Sequence, residues 1–258
     1  TFLSLVGAGT ATLALPGLHC AGSLKGRRPN ILFVFADQHR ASALGCYGDP
    51  NVSTPNFDAF ATQGIRLTAA VSPTPVCCPY RASLMTGQFS HNHGMMSNSV
   101  DFFPKVPAVA ETFRAAGYRT GYIGKWHLEF PASIGAKYGN PKYVPPDRRL
   151  GFDWWRMAPN GHNYYSYTYF DGDNTKPVNA EEGYAPTTQA NQAMEFIEKH
   201  SPREQPWLLF LAWGPPHTPY HAPDEYRRHY MERNLALRPN VPSGQPEEHA
   251  RKVLPDYY

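Results

Sequence analysis

Apolar residues occur along this chain in two patterns: short continuous runs, and longer segments in which they recur every three or four positions. The first pattern is typical of buried strands and the second of helices with one buried face. The two kinds of segment alternate, which predicts an α/β sandwich. Strands are predicted over 31–36, 65–71, 119–123 and 207–213, and helices over 54–64, 106–116 and 186–199.

The first predicted strand is followed directly by an acidic residue. Pro29 and Asn30 precede the apolar run 31–36, and Asp37 follows it. A continuous apolar run of this length fits a strand that is buried on both faces of a parallel sheet. Asp37 would then lie at the carboxyl edge of the sheet, where open α/β sheets place their ligand sites.

Residues 130–185 are rich in Pro, Gly, Asn and Tyr and show neither a helical nor a strand period. This composition predicts a long, loop-rich insertion over the face of the domain. Its aromatic residues between 152 and 170, together with His91, Asn92 and His93, could stack on sugar rings and bind their hydroxyls. The alternative is that these aromatic side chains only pack the insertion.

The first 22 residues are small or apolar and carry no charge, and residues 23–29 form a basic linker. Such a start is typical of an export signal rather than of a membrane span. We therefore expect an exported protein, periplasmic or secreted. Lipoprotein anchoring through Cys20 is the alternative, for which the preceding Leu18 and His19 are a poor match.

Charge and cysteine content exclude some classes of function. The 258 residues contain 24 Lys and Arg against 21 Asp and Glu, so the formal net charge is +3. This excess is too small to indicate a nucleic-acid partner. The four cysteines form no spaced framework, so disulfides are not expected to hold the fold together.

The strongest chemical signal is the segment 77–87, Cys-Cys-Pro-Tyr-Arg-Ala-Ser-Leu-Met-Thr-Gly. Proline is tolerated in a first helical turn, so a helix is predicted to begin near Pro79 with Cys77 just ahead of it. The N-terminal end of a helix favours an anion, and Arg81 adds a fixed cation with a planar set of donors. The alternative is that Cys77 and Cys78 are small, buried hydrophobic residues.

Two further segments carry candidate catalytic side chains. In 117–127, Lys125 and His127 flank Trp126, so in an extended segment they face the same way and could serve one anionic group together. After the strand 207–213, His217 lies in a Pro-Pro-His-Thr-Pro loop. The prolines stiffen this loop, which suits an imidazole that is positioned for proton transfer.

Taken in order, these segments resemble the signatures of the type I sulfatase family, and their layout is most similar to bacterial glycan sulfatases and glucosamine-6-sulfatase-like enzymes. The run 77–87 resembles the Cys-x-Pro-x-Arg signature, 117–127 the second signature, and 215–219 the Pro-His-x-Pro loop. Two residues depart from the pattern: Tyr80 replaces the usual Ser or Ala, and Gln38 replaces a second Asp. The resemblance implies an alkaline phosphatase-like α/β sandwich with a mostly parallel central sheet.

The resemblance also implies a mechanism. Cys77 would be oxidised to formylglycine (3-oxoalanine), and one hydroxyl of its hydrate would attack the sulfur of a sulfate ester. His217 would protonate the departing alcohol, while Lys125 and Arg81 would offset the charge on the sulfuryl oxygens. His127 would take the proton from the second hydroxyl.

One calcium ion completes the implied site, with Asp37, Gln38 and the formylglycine of Cys77 among its ligands. Calcium takes roughly six or more oxygen ligands. The resemblance places the remaining metal ligands and a second sulfate-binding lysine beyond Tyr258. Residues 30–258 are then expected to be the N-terminal portion of a catalytic domain, inactive by themselves.

The implied substrate is a sulfated saccharide. The implied partner is a formylglycine-generating or an anaerobic sulfatase-maturating enzyme, and no transmembrane span is expected. Two other functions remain open. A phosphonate monoester or phosphodiester hydrolase of the same superfamily would use the same Cys77 chemistry, whereas a sugar-binding relative without catalysis would result if Tyr80 blocked oxidation of Cys77.

Overall fold

A mostly parallel sheet forms the centre of the protein. The computed structural model describes residues 28–98, 100–128, 136–140, 142–159, 162–180 and 183–258. The strands in this part of the chain are β1 (Ile31–Ala36), β2 (Arg119–Lys125), β3 (Trp154–Ala158), β4 (Thr168–Asp171), β5 (Val178–Asn179) and β6 (Trp207–Trp213). They lie in the order β1-β6-β2-β3-β4-β5. Neighbours are parallel from β1 to β3, whereas β4 and β5 are antiparallel, which confirms the predicted fold class.

Helices pack around this sheet. Their bounds are Pro55–Gln63 (α1), Cys77–Thr86 (α2), Ser90–His93 (α3), Val109–Ala115 (α4), Ala185–His200 (α5), Asp224–Met231 (α6) and Gln245–Tyr257 (α7). The predicted helices 54–64, 106–116 and 186–199 correspond to α1, α4 and α5. None of the described helices is long and apolar enough to cross a membrane. Residues 1–27, with the predicted export signal, Cys20 and most of the linker, lie outside the described residues.

The middle strands are closely packed. The side chains of β6 are buried from Trp207 to Ala212, because β1 and β2 flank this strand. On β2, Gly124 has a φ of 95°, and a Cβ there would lie 2.1 Å from the carbonyl oxygen of Ala212. Glycine therefore lets β2 approach β6 just before Lys125.

The first strand is less buried than its sequence predicts. Ile31, Phe33 and Phe35 pack against the core, but Leu32 is 45% exposed and Val34 is 41% exposed. The prediction of burial on both faces is wrong, because β1 lies at the edge of the described sheet and packs on the core with one face.

Two other predicted features need correction. The segment 65–71 is irregular rather than a strand, and Ile65 and Val71 are more than 90% exposed; in the described residues it has no neighbouring strand to pair with. The loop-rich range 130–185 contains β3, β4 and β5, and β3 extends the central sheet. Five residues with Arg156 in the middle are too few to show a strand period.

The parallel strands bring their carboxyl ends to one edge of the sheet. Asp37 follows β1, Lys125 ends β2, His162 lies beyond β3 and His217 follows β6. Residues far apart in the sequence therefore meet at this edge, as open α/β sheets require of their ligand sites.

Candidate active site

Asp37 lies at the centre of a cluster of charged side chains. Its backbone N–H donates to the carbonyl of Trp213 at 3.1 Å, which fixes it against the end of β6. Its Oδ2 atom lies 2.6 Å from Lys125 Nζ and 3.3 Å from Arg81 Nη2. Burial alone would raise the pKa of Asp37, but the charges of Arg81 and Lys125 outweigh it and hold the pKa below its usual value.

Cys77 is the first residue of α2, two residues before the predicted start of this helix. Its Sγ lies 3.6 Å from each carboxylate oxygen of Asp37 and 3.8 Å from Lys125 Nζ. Burial raises the pKa of the Cys77 thiol, and Asp37 adds to this although Lys125 and Arg81 oppose it. The unmodified thiol is therefore mainly protonated at neutral pH.

The first turn of α2 is held by residues from outside the helix. Val76 precedes the helix and supplies no side-chain cap. Instead, Asn98 Oδ1 accepts a hydrogen bond from the backbone N–H of Cys78 at 3.0 Å. The fully buried Cys78 thiol contacts the carbonyl oxygen of His127 at 2.8 Å. Cys78 thus fixes the turn that carries Cys77 to the end of β2.

Arg81 and Lys125 are fixed cations within the core. They are 2% and 1% exposed, which is unusual for charged residues and requires partners. Arg81 Nη1 donates to the carbonyl oxygen of Lys125 at 2.5 Å and to the Tyr122 hydroxyl at 3.3 Å. The guanidinium also lies 5.2 Å from the centre of the Phe35 ring. Both side chains are therefore held in one position before any ligand binds.

His127 is buried beside these cations. It has a φ of 48°, so it leaves the extended conformation that was predicted for Lys125 and His127. Its backbone N–H still donates to the carbonyl of Pro159 at 3.1 Å. Burial, and then the positive charges of Lys125 and Arg81, lower the pKa of His127 to about 4. His127 is therefore neutral at physiological pH.

His217 borders the same site from the loop after β6. Its Nδ1 lies 2.7 Å from the carbonyl oxygen of Thr218, and its own carbonyl accepts a 2.7 Å hydrogen bond from the Tyr164 hydroxyl. The His162 ring lies 4.3 Å from the His217 ring, centre to centre. His162 was not predicted from the sequence, and Tyr164 was predicted only as one of the aromatic residues that could stack on a sugar. Their position after a strand end would have been a signal if β3 had been predicted.

Three candidate metal ligands lie close together. Donor atoms of Asp37, Cys77 and His217 all lie within 4.8 Å of one another. Gln38 has a φ of 61° and lines the cavity in front of Cys77. Calcium takes six to eight oxygen ligands. Asp37 Oδ1 and the Gln38 amide oxygen fit such an ion, but the described residues offer too few oxygens to complete it.

A cavity of about 520 Å³ opens in front of Cys77, large enough for a small ligand. Its lining includes Phe35, Gln38, Ser72, Tyr80, Asn98 and His217. The aromatic residues of 152–170 are mostly elsewhere: Tyr164 and Tyr167 pack with Ala158 and Ala185. His93 is bound by Ser83 at 3.0 Å. Most of the residues that could have stacked on sugar rings are therefore packed within the protein.

The protein has an α/β fold with a charged cluster at the carboxyl edge of a mostly parallel sheet, and it shares this fold with a solved sulfatase of the alkaline phosphatase-like class. A family model described as Sulfatase matches residues 29–243. This match covers most of the chain, so the chain belongs to the sulfatase family.

The proteins that are similar to this chain are longer than it is. An ulvan-active sulfatase of Formosa agariphila is 39% identical over 232 residues, which are 90% of this chain and 44% of that protein. A Bacteroides fragilis protein named as sulfatase yidJ has a TM-score of 0.80 at 30% identity, over 89% of this chain and 54% of that one. A structure in complex with its substrate D-glucosamine-2-N,6-O-disulfate has a TM-score of 0.70 at 28% identity, over 83% and 40%. The chain therefore spans about half the length of these relatives or less.

Proposed function

We propose that the protein hydrolyses a sulfate ester of a sulfated carbohydrate. The observation that carries this proposal is the contact of Asp37, Lys125 and Cys77 at the N-terminus of α2, in a chain of the sulfatase family. The names of two relatives support the substrate class, since one is ulvan-active and the other binds a sulfated glucosamine.

Arg81 and Lys125 would bind the sulfuryl oxygens. Both cations are buried and held by partners on β1 and β2, so they need no rearrangement when negative charge develops during the reaction. Preorganised charges of this kind make a large contribution to transition-state stabilisation. The helix N-terminus adds its dipole in the same place.

The two histidines would move protons on opposite sides of the sulfur. The Nδ1–H of His217 donates to the carbonyl of Thr218, so the imidazolium form of His217 would carry its second proton on Nε2 and would give that proton to the oxygen of the departing alcohol. Because the pKa of His127 is about 4, its imidazole is neutral at neutral pH and would accept the proton of the second hydroxyl of the formylglycine hydrate.

Oxidation of Cys77 to formylglycine would supply a hydroxyl nucleophile through the hydrated aldehyde. The unmodified thiol would be a poor nucleophile at neutral pH, because burial raises its pKa and the thiolate, not the thiol, is the nucleophilic form. Asp37 and Gln38 would hold one calcium ion, which would supply positive charge near the reacting oxygens. Its other ligands would come from further residues.

The test uses the full-length protein, co-expressed with a sulfatase-maturating enzyme. Mass spectrometry of the tryptic peptide 67–81 should show the mass loss that accompanies conversion of thiol to aldehyde. Sulfate release is then measured on ulvan oligosaccharides, 6-sulfated glucosamine and an aryl sulfate. We expect wild type and Cys46→Ala to release sulfate and Cys77→Ala to release none.

Two results would contradict the proposal. Faster turnover of an aryl phosphodiester or aryl phosphonate than of every sulfate ester would indicate the related phosphorus chemistry. An unmodified Cys77 thiol together with binding, but no turnover, of the saccharides would indicate a sugar-binding protein.

A further inference from the structure

Tyr80 is a large aromatic residue at a prominent position of the site. It lies three residues after Cys77 on α2, and residues at this spacing are neighbours on a helix surface. Its half-buried side chain lines the same 520 Å³ cavity as Cys77 and His217. Among the residues that line this cavity, Tyr80 therefore offers both an aromatic face and a polar end.

The Tyr80 ring packs against Phe35 near the end of β1. Its centre lies 6.2 Å from that of Phe35, with the two rings at 64°, an arrangement that aromatic pairs favour. Arg81 lies over the same Phe35 ring at 5.2 Å. The phenol is thus positioned by the residues that also fix the cation of the site.

The hydroxyl of Tyr80 differs from the other tyrosine hydroxyls nearby. The Tyr122 hydroxyl donates to the carbonyl of Lys125 at 2.5 Å, and that of Tyr164 donates to the carbonyl of His217. Among the described residues the Tyr80 hydroxyl has no hydrogen-bond partner, and it is not one of the fully buried polar atoms without a partner. Burial raises the pKa of Tyr80, so the hydroxyl remains a donor at neutral pH.

We propose that Tyr80 is a specificity-determining residue, which borders the saccharide of the substrate with its ring and donates a hydrogen bond from its hydroxyl to a sugar oxygen. This inference rests on the proposed function. Sugars present both an apolar face and hydroxyl oxygens, and tyrosine combines an aromatic ring with a polar end. A serine at this position could not reach as far into the cavity.

The test compares Tyr80→Phe and Tyr80→Ser with wild type in the full-length, matured protein. Because Tyr80 lies within the segment that the maturating enzyme must recognise, each rate is divided by the converted fraction of Cys77, measured on the peptide that ends at Arg81. Tyr226→Phe, which alters an exposed tyrosine on α6, is the matched control. The substrates are ulvan oligosaccharides and 6-sulfated glucosamine.

For Tyr80→Phe we expect the KM of the preferred saccharide to rise about three- to tenfold, with kcat changed less than about twofold, as the loss of one neutral hydrogen bond predicts. Tyr80→Ser should raise KM further, because the ring is lost as well. Tyr226→Phe should equal wild type.

The inference is overturned if wild type releases sulfate and both Tyr80 variants keep its KM, whether or not their melting temperature falls. A decrease confined to the conversion of Cys77 would also overturn it, since Tyr80 would then act in maturation. Absence of sulfate release by fully converted wild-type protein would instead refute the proposed function.

Discussion

Asp37, Cys77, Arg81 and Lys125 are joined by contacts between their side chains, whereas His217, which borders the same cavity, is held largely through its backbone. In the first group, which we call the nucleophile side, the buried cations of Lys125 and Arg81 lie 2.6 and 3.3 Å from Oδ2 of Asp37. The histidine loop, residues 214–219, is fixed by the Tyr164 hydroxyl on the His217 carbonyl and by the adjacent His162 ring.

Because of this difference, substitutions in the two groups should differ in how far they reduce stability as well as activity. Buried charges must remain paired, since an unpaired charge in the core is strongly destabilising. Changes on the nucleophile side should therefore reduce stability as well as activity. His217 is half-buried, and its hydrogen bonds with the described residues are made to neutral groups, so changes that loosen the histidine loop should mainly reduce activity.

The largest effect is expected for Asp37→Asn. Lys125 and Arg81 would lose their shared carboxylate while remaining buried, which should lower the free energy of unfolding by about 3–5 kcal/mol. Urea denaturation of the full-length protein measures this change. The control is Asp224→Asn, which removes an exposed pair with Arg228 and should cost less than about 1 kcal/mol. Equal effects of the two substitutions would mean that burial of the nucleophile side has no special consequence.

Local signals allowed the nucleophile side and the two histidines to be predicted from sequence. The continuous apolar runs predicted β1 and β6. The candidate residues lie at or near strand ends or within the 77–87 segment, and the structure brings them together: Asp37, Cys77, Arg81, Lys125, His127 and His217.

The supports of the site were not predictable in this way, because they act over long distances. Asn98 lies twenty residues after Cys78, whose backbone N–H it caps. Tyr164 lies 53 residues before His217, whose carbonyl accepts its hydrogen bond. No sequence period or local motif indicates such contacts. The strand β3, which positions His162, has only five residues, too few to be predicted from a strand period. The prediction of a strand over the exposed segment 65–71 was wrong for the opposite reason. Its local apolar pattern is typical of a strand, but the segment pairs with none of the described strands.

An intermediate effect is expected from pH, because His127 lies beside the cations of the nucleophile side. In the unfolded chain its imidazole takes up a proton near the ordinary pKa of 6.5, but in the folded protein it does so only near 4. The unfolded state therefore binds more protons between these values, and stability falls as the pH decreases from 6.5 towards 4. The loss should be about 2 kcal/mol by pH 5.

Unfolding free energies at pH 7 and pH 5 measure this loss. His127→Gln should remove most of the His127 contribution to the pH dependence, whereas the exposed His249→Gln should keep the wild-type dependence. If His127→Gln had the same pH dependence as wild type, neither burial nor the cations of the nucleophile side would lower the pKa of His127.

The smallest effect is expected on the histidine loop, where Tyr164→Phe removes one hydroxyl and little volume. The lost hydrogen bond to the His217 carbonyl should lower the free energy of unfolding by about 1 kcal/mol. In the proposed mechanism His217 protonates the leaving group, so kcat should fall about three- to tenfold, since small displacements of catalytic groups are costly. Tyr165→Phe is the control, as this neighbouring tyrosine is 38% exposed. A loss of stability with unchanged kcat would show that the prolines of the loop position His217 without Tyr164, and the contrast between the two sides would then rest on the nucleophile side alone.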